Sequence, residues 1–276
     1  MKKSLGIIFA LVTLFAVVPN ALALTKAFQV NTASGGTLTT GLVSYWNMEG
    51  NSNDYWGTNN GTDTSVSYGT SYGKVSQGAS FNGSTSNIRI NTAATFSNVS
   101  VALWFKMTST GIGELFNIAD SSNNANFDID VNNNSAGKLE FGTWNGSTAY
   151  SIYSSGSSYD DGNWHLVIAV KAGTTLTLYA DNVFIGTITQ SAFNVGGTYW
   201  GIGWNVCNES GFYSGYIDEV GIWSKAPSTQ EMTDLWNGGA GQTMCNGTGG
   251  PLCSIPRRHQ IVLNPFEAKF EHFIFA

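Results

Sequence analysis

The stretch Asn163-Trp-His-Leu-Val-Ile-Ala-Val170, followed beyond Gly173-Thr174 by Leu176-Thr-Leu-Tyr-Ala-Asp-Asn182, decides the fold. Trp164, Leu166, Ile168 and Val170 alternate with His165, Val167 and Ala169, and after the turn Leu176, Leu178 and Ala180 alternate with Thr177 and Tyr179. A two-residue period is the mark of paired antiparallel strands. Asp181-Asn182 then falls where a two-residue hairpin turn needs positive φ, which Asn and Asp tolerate. A third segment, Gly211-Phe-Tyr-Ser-Gly-Tyr-Ile-Asp-Glu-Val-Gly-Ile-Trp223, continues the pattern.

Working outward, the same pattern predicts strands over 42–48, 79–82, 88–91, 99–107, 114–118, 126–131, 138–144, 149–153, 163–171, 174–180, 183–187, 198–204 and 213–223. Many short strands separated by Gly, Asn, Asp and Ser mean an all-β protein built as a two-sheet antiparallel β-sandwich. Gly83, Gly196-Gly197 and Gly238-Gly239 read as turn glycines. One helix is signalled by Ser228-Thr-Gln-Glu231, a capping box ahead of Met232, Leu235 and Trp236. Trp46, Trp104, Trp164 and Trp223 lie within strands and are expected in the core.

These segments, together with "GLVSYWNMEGNSNDYWGTNNGT" (41–62) and "GKVSQGASFNGSTSNIRI" (73–90), resemble the LamG-like jelly-roll domains of the concanavalin A-like lectin/glucanase superfamily. The resemblance spans residues 41–238 with the motifs in the family's order. It implies a jelly roll with one short C-terminal helix. The family covers sugar-binding modules, adhesion modules and accessory domains of secreted hydrolases, so the fold alone does not choose an activity.

The ends of the chain read differently. Lys2-Lys3, an apolar run over 5–18 and Pro19-Asn-Ala-Leu-Ala23 have the form of a signal peptide (1–23), which implies a secreted or cell-surface protein. Residues 24–40 are a lead-in segment, and 239–276 form a Gly- and Cys-containing tail of different character, with Arg257, Arg258 and several Phe. No later segment is apolar over a length that would insert in a membrane. The formal net charge of −6 argues against nucleic acid or an anionic membrane as partner. Of the three cysteines, Cys245 and Cys253 flank a short Gly-rich loop and form the easiest disulfide, leaving Cys207 free or pairing in place of one of them.

Three constellations could carry chemistry. The loop over 51–62 packs oxygen donors among glycines, the ligand type a hard cation wants. Asp218 shares by alternation a face with Tyr216, Val220 and Ile222, and if that face is inward its carboxylate needs a partner. The resemblance places this loop and this Asp near one another around a structural calcium, with Asp54, Asn59 and Asp218 as contributors. The alternative is that Asp54 caps a turn and Asp218 accepts backbone N–H bonds without an ion. For sugar binding, which needs an aromatic face beside hydrogen-bonding groups, the candidates at strand ends and loops are Trp56, Trp144, Asn145, Trp200, Trp204 and Asn205. Catalysis lacks a motif: no paired-carboxylate Glu-x-Asp pattern is present, Asp128-Ile-Asp130 lacks a Glu partner, and Asp218-Glu219 points its carboxylates to opposite faces. His165 reads as structural. No catalytic residue is therefore assigned.

The expected function is a secreted, non-catalytic recognition or adhesion domain that binds glycan or polysaccharide, with a structural calcium as its one cofactor candidate. A jelly-roll polysaccharide hydrolase or lyase, and a structural cell-surface protein, are the alternatives.

Overall fold

A computed structural model describes residues 38–120, 125–156 and 158–244. The expected signal peptide and the Cys245–Cys253 pair lie outside these residues. Among the described residues there are fifteen strands: β1 Leu42–Trp46, β2 Thr62–Thr64, β3 Ser67–Gly69, β4 Gly78–Asn82, β5 Asn87–Phe96, β6 Asn98–Met107, β7 Gly113–Ala119, β8 Ala125–Val131, β9 Leu139–Trp144, β10 Ala149–Tyr153, β11 His165–Ala172, β12 Thr175–Ala180, β13 Val183–Thr189, β14 Val195–Ile202 and β15 Ser214–Trp223. They form two antiparallel sheets. One runs β13-β12-β11-β6-β15-β4-β3, with β1 pairing the far half of β15; the other runs β10-β9-β8-β7-β14-β5-β2.

The deciding stretch forms β11 and β12 in the eight-stranded sheet. Val167, Ala169, Leu176 and Leu178 point into the core between the sheets, where Trp46, Phe105, Phe116 and Trp200 also sit. Leu166, Ile168 and Val170 face the other way and are buried as well, in a second apolar layer with Trp104, Trp223, Met232 and Leu235. A strand covered on both sides reads as a nearly continuous apolar run, which is why both registers of this stretch were hydrophobic. The cover is helix α1, Thr229–Trp236. Its capping box is formed as the sequence implies, with Ser228 Oγ accepting from Glu231 N and the Glu231 side chain accepting from Ser228 N. Trp236 stacks on Trp104 with ring centroids 5.3 Å apart. Of the four expected core tryptophans, Trp46, Trp104 and Trp223 are buried, whereas Trp164 packs at the margin of the second layer.

The β12–β13 turn is Asp181-Asn182, with φ of 51° and 62°, the left-handed pair such a hairpin requires. Three expectations change. β2 and β3 carry no apolar pattern and were not legible. Gly196 and Gly197 lie inside β14 rather than in a turn, because a Cβ on Gly197 would sit 2.3 Å from Ile118 Cγ2. In β15 the pairing with β6 slips between Asp218 and Gly221, and Glu219 takes φ 53°. This β-bulge shifts the alternation. Ile217, Val220 and Ile222 all face the core, and Asp218 does not share a face with Val220 and Ile222.

Candidate site on the outer face of the seven-stranded sheet

The inner residues of β7, β8, β9 and β14 (Phe116, Ile118, Phe127, Ile129, Leu139, Phe141, Trp200, Ile202) fill the core. By the two-residue period their neighbours must face outward. Register then sets them in rows. Glu114 lies opposite Asp130, Asp130 opposite Glu140, and Glu140 opposite Tyr153. In the next row Gly201 lies opposite Asn117, Asn117 opposite Asp128, Asp128 opposite Gly142, and Gly142 opposite Ser151. One period further along, Trp144 closes β9 on the same side as Glu140 and Gly142.

Glycine leaves this second row open. A Cβ on Gly142 would stand 2.8 Å from both carboxylate oxygens of Asp128, and one on Gly201 would stand 2.9 Å from Asn117 Oδ1. The polar side chains thus lie down over a floor without side chains of its own.

Four carboxyl groups share this face. Glu114, Asp130 and Glu140 are buried and Asp128 is partly exposed. Burial, then the charges of Asp130 and Asp128, hold Glu114 well above the ordinary carboxylate range; burial, then Asp128 and Glu140, do the same to Asp130. Asp128 is pushed up to about 7 by burial and then by Glu140. The donors they do meet are mostly amides. Asn133 Nδ2 is 3.2 Å from Asp130 Oδ2, Asn134 Nδ2 is 2.7 Å from Glu140 Oε2, and Asn205 Nδ2 is 3.3 Å from Glu114 Oε2. Among the described residues, Glu114 Oε1, Asp130 Oδ1 and Asn117 Oδ1 are buried without a hydrogen-bond partner. Tyr153, 45% exposed, stands at the end of the first row, its hydroxyl 3.3 Å from Asn134 Nδ2.

The sugar-binding candidates separate. Trp144 and Asn145 are together on the β9–β10 hairpin of this face, where Asn145 Oδ1 accepts from Ser147 N and Thr148 N. Trp204 and Asn205 are also beside it. Trp204 is buried and stacks on Phe212 with centroids 6.0 Å apart, while its carbonyl accepts from Asn117 Nδ2 at 2.9 Å. Trp200 is not at the surface at all: it is wholly buried, edge-on to Trp46 at 6.0 Å, because its place in β14 takes the inner side. Trp56 packs against the helix-covered layer of the other sheet. Glu114, Asn117, Glu140 and Tyr153 were missed. Each is the polar or amphipathic position of a predicted strand, but nothing in the sequence shows which strands are neighbours.

The calcium candidates are spent on backbone amides. Asp54 Oδ1 accepts from Tyr45, Trp56 and Gly57 N, and Oδ2 from Asn59 N, at 2.8–3.0 Å. Asn59 Nδ2 donates to Ser44 Oγ. Asp218 accepts from Lys74, Val75 and Glu219 N and is pushed up to about 8 by burial, against those hydrogen bonds. Among the described residues no three His, Cys, Asp or Glu side chains are placed to hold a metal ion. The donor set at Asp54, Asn59 and Asp218 does not fit a cation. Glu219, turned by the bulge, is joined by the Tyr45 hydroxyl and by Thr243 Oγ1, and burial followed by the charge of Asp218 raises it well above the carboxylate range. The charge of Asp218 therefore reaches Glu219 despite the expectation of opposite faces.

His165 sits between Asp181 (Nδ1 to Oδ2, 2.7 Å) and Asp161 (Nε2 to Oδ1, 3.1 Å), packed edge-on to Tyr159. Burial works against its charged form, but the two carboxylates outweigh it and raise its pKa. Asp181 Oδ1 also accepts from Leu166 N. Cys207 is a free thiol pushed up to about 12, by burial and then by Glu114 and other acidic neighbours.

The laminin G-type family model of the concanavalin A-like lectin/glucanases superfamily matches residues 81–233, more than half of the chain. This chain belongs to that superfamily. Its fold is similar to the binding domain of Paraclostridial Mosquitocidal Protein 1 (TM-score 0.61, 16% identity, 73% of this chain and 53% of that one). It is also similar to the botulinum neurotoxin serotype D ligand binding domain in complex with N-acetylneuraminic acid (0.56, 15%, 74% and 52%). A third similar structure is domain 4 of AbnA, a GH43 extracellular arabinanase from Geobacillus stearothermophilus, in complex with arabinotriose (0.54, 19%, 73% and 98%). The chain thus spans about half the length of the toxin domains and nearly the whole of the arabinanase domain. At these identities the likeness is one of fold. No curated protein sequence matches the chain. Among the described residues no helix of this superfamily member is long and apolar enough to cross a membrane.

Proposed function

We propose that this chain is an exported carbohydrate-binding domain whose site is the outer face of the seven-stranded sheet. The observation that carries the reading is the row structure of that face. Acid and amide groups lie over a glycine floor, with Trp144 and Tyr153 on the same side of β9 and β10. Aromatic faces receive the apolar side of a sugar ring, and carboxyl and amide oxygens receive its hydroxyls. Trp144 and the cross-strand partner of Tyr153 are four residues apart, roughly 13 Å along the strand, enough for more than one ring. The glycans held by the arabinanase domain and the serotype D domain support the class of ligand. The leader at 1–23 supports export.

A second reading, glycoside hydrolysis, is favoured by one observation: Asp128, held near neutrality and partly exposed, stands among carboxylates from three adjacent strands. A pulldown on neutral insoluble polysaccharides and soluble oligosaccharides, scored for retention and for released sugar, separates the two. Retention without release, weakened about tenfold by Trp144→Ala or Tyr153→Ala, is the expected result. Released oligosaccharide gives the site to a hydrolase, and no retention on any glycan refutes the proposal.

A further inference from the structure

The acids of the outer face say which saccharide suits it. The buried polar atoms left without a partner in the first row are carboxyl oxygens, Glu114 Oε1 and Asp130 Oδ1; in the adjoining row Asn117 Oδ1 is unpartnered, and so is a donor close to it, the indole Nε1 of Trp204. Asn117 is fully buried and lies across from Asp128. Acceptors can be satisfied only by a ligand that brings donors. The charges that act on Glu114, Asp128 and Asp130 are those of one another and of Glu140, so these acids resist ionising together, and a cation set among them would favour their charged forms.

The groups already in place preview what would bind. Asn133 and Asn134 are exposed side chains that reach down and present N–H to Asp130 and Glu140. Being exposed, they can swing aside, and an incoming N–H group would replace them donor for donor. Tyr153 stands against Asn134 with its ring exposed, so a ring carrying that N–H group would meet an aromatic wall.

Building on the glycan-binding reading, we propose that this face selects a saccharide bearing free, protonated amino groups, its ammonium set among Asp128, Asp130 and Glu140 and its ring against Tyr153. A sialic or uronic acid would add a further negative charge to this group of acids, and a neutral sugar supplies donors but no positive charge to favour their ionised forms.

The test compares the intact protein on fully deacetylated glucosamine oligosaccharides, on their N-acetylated counterparts, on a polyuronate and on a basic peptide, at low and at raised salt. Expected is a preference of about tenfold or more for the amine form over the acetylated one, shrinking with salt, with no retention of the polyuronate. Asp128→Asn and Glu140→Gln should each cut that preference severalfold, while Trp144→Ala weakens both forms alike. Both neutralising variants remove repulsion, and the comparison of ligands on the unaltered protein stands even if one folds poorly. Equal or stronger binding of the acetylated or acidic glycan overturns this inference and leaves the glycan-binding reading intact. Equal retention of the basic peptide overturns the saccharide specificity. No retention of any glycan overturns both.

Discussion

Asp128→Asn should make this protein more stable at neutral pH and no more stable in acid. Asp128 lies on Gly142 with its carboxylate among those of Asp130, Glu140 and Glu114, and among the described residues it has no hydrogen-bond partner. Its pKa in the folded state is about 7 against an ordinary 3.8. The folded chain therefore holds a proton that the unfolded chain releases, and stability falls as pH rises from about 4 to about 7. At about 1.4 kcal/mol for each pH unit, the full displacement amounts to roughly 4 kcal/mol above pH 7. Water at the partly exposed carboxylate screens this to about half, roughly 2 kcal/mol. An asparagine keeps the shape and removes the charge, so Tm at about pH 7.5 should rise by about 4–8 °C for a domain of this size. Below about pH 4, where the carboxyl is protonated in both states, the difference should vanish. The assay is urea and thermal denaturation of both proteins across that range. A variant equally stable or less stable at neutral pH, or one whose advantage persists in acid, would refute the argument that burial and like charge destabilise this face.

His165 behaves in the opposite chemical sense but gives the same direction. Its pKa is raised by Asp181 and Asp161 against burial, so its contribution is complete below the ordinary imidazole pKa and is lost as pH rises through the folded value; His165→Gln should flatten that part of the stability–pH curve. Asp54→Ala orphans four backbone N–H groups around a buried carboxylate and should cost about 3 kcal/mol or more. That cost should be the same with added calcium and with chelator, and a chelator should leave the Tm of the unaltered protein in place; a calcium-dependent Tm would return Asp54, Asn59 and Asp218 to the role of ion ligands. Ser228→Ala should cost about 1 kcal/mol by chemical denaturation, the value of a helix cap, and a neutral result would show that α1 is held by the packing of Met232, Leu235 and Trp236 without its cap.

What the sequence by itself determined is everything that depends on local period and local turn chemistry. The alternation in 163–180 placed β11 and β12. Asp181-Asn182 placed the hairpin, and Ser228 with Glu231 placed the start of α1, because each signal is written within a few neighbouring residues. Tertiary structure decided the rest, since it depends on which strands lie side by side. Glu114, Asp128, Asp130 and Glu140 come from three consecutive strands, and only their pairing and register make them one cluster. Trp200 reads as an aromatic at the start of a strand until β14 begins at Val195 and sets it on the inner side. The bulge at Asp218–Gly221 is invisible to a strict two-residue period, because one extra residue in the ladder reverses every side chain beyond it. Strand identity is thus a local property of this chain, whereas its site is a property of strand pairing.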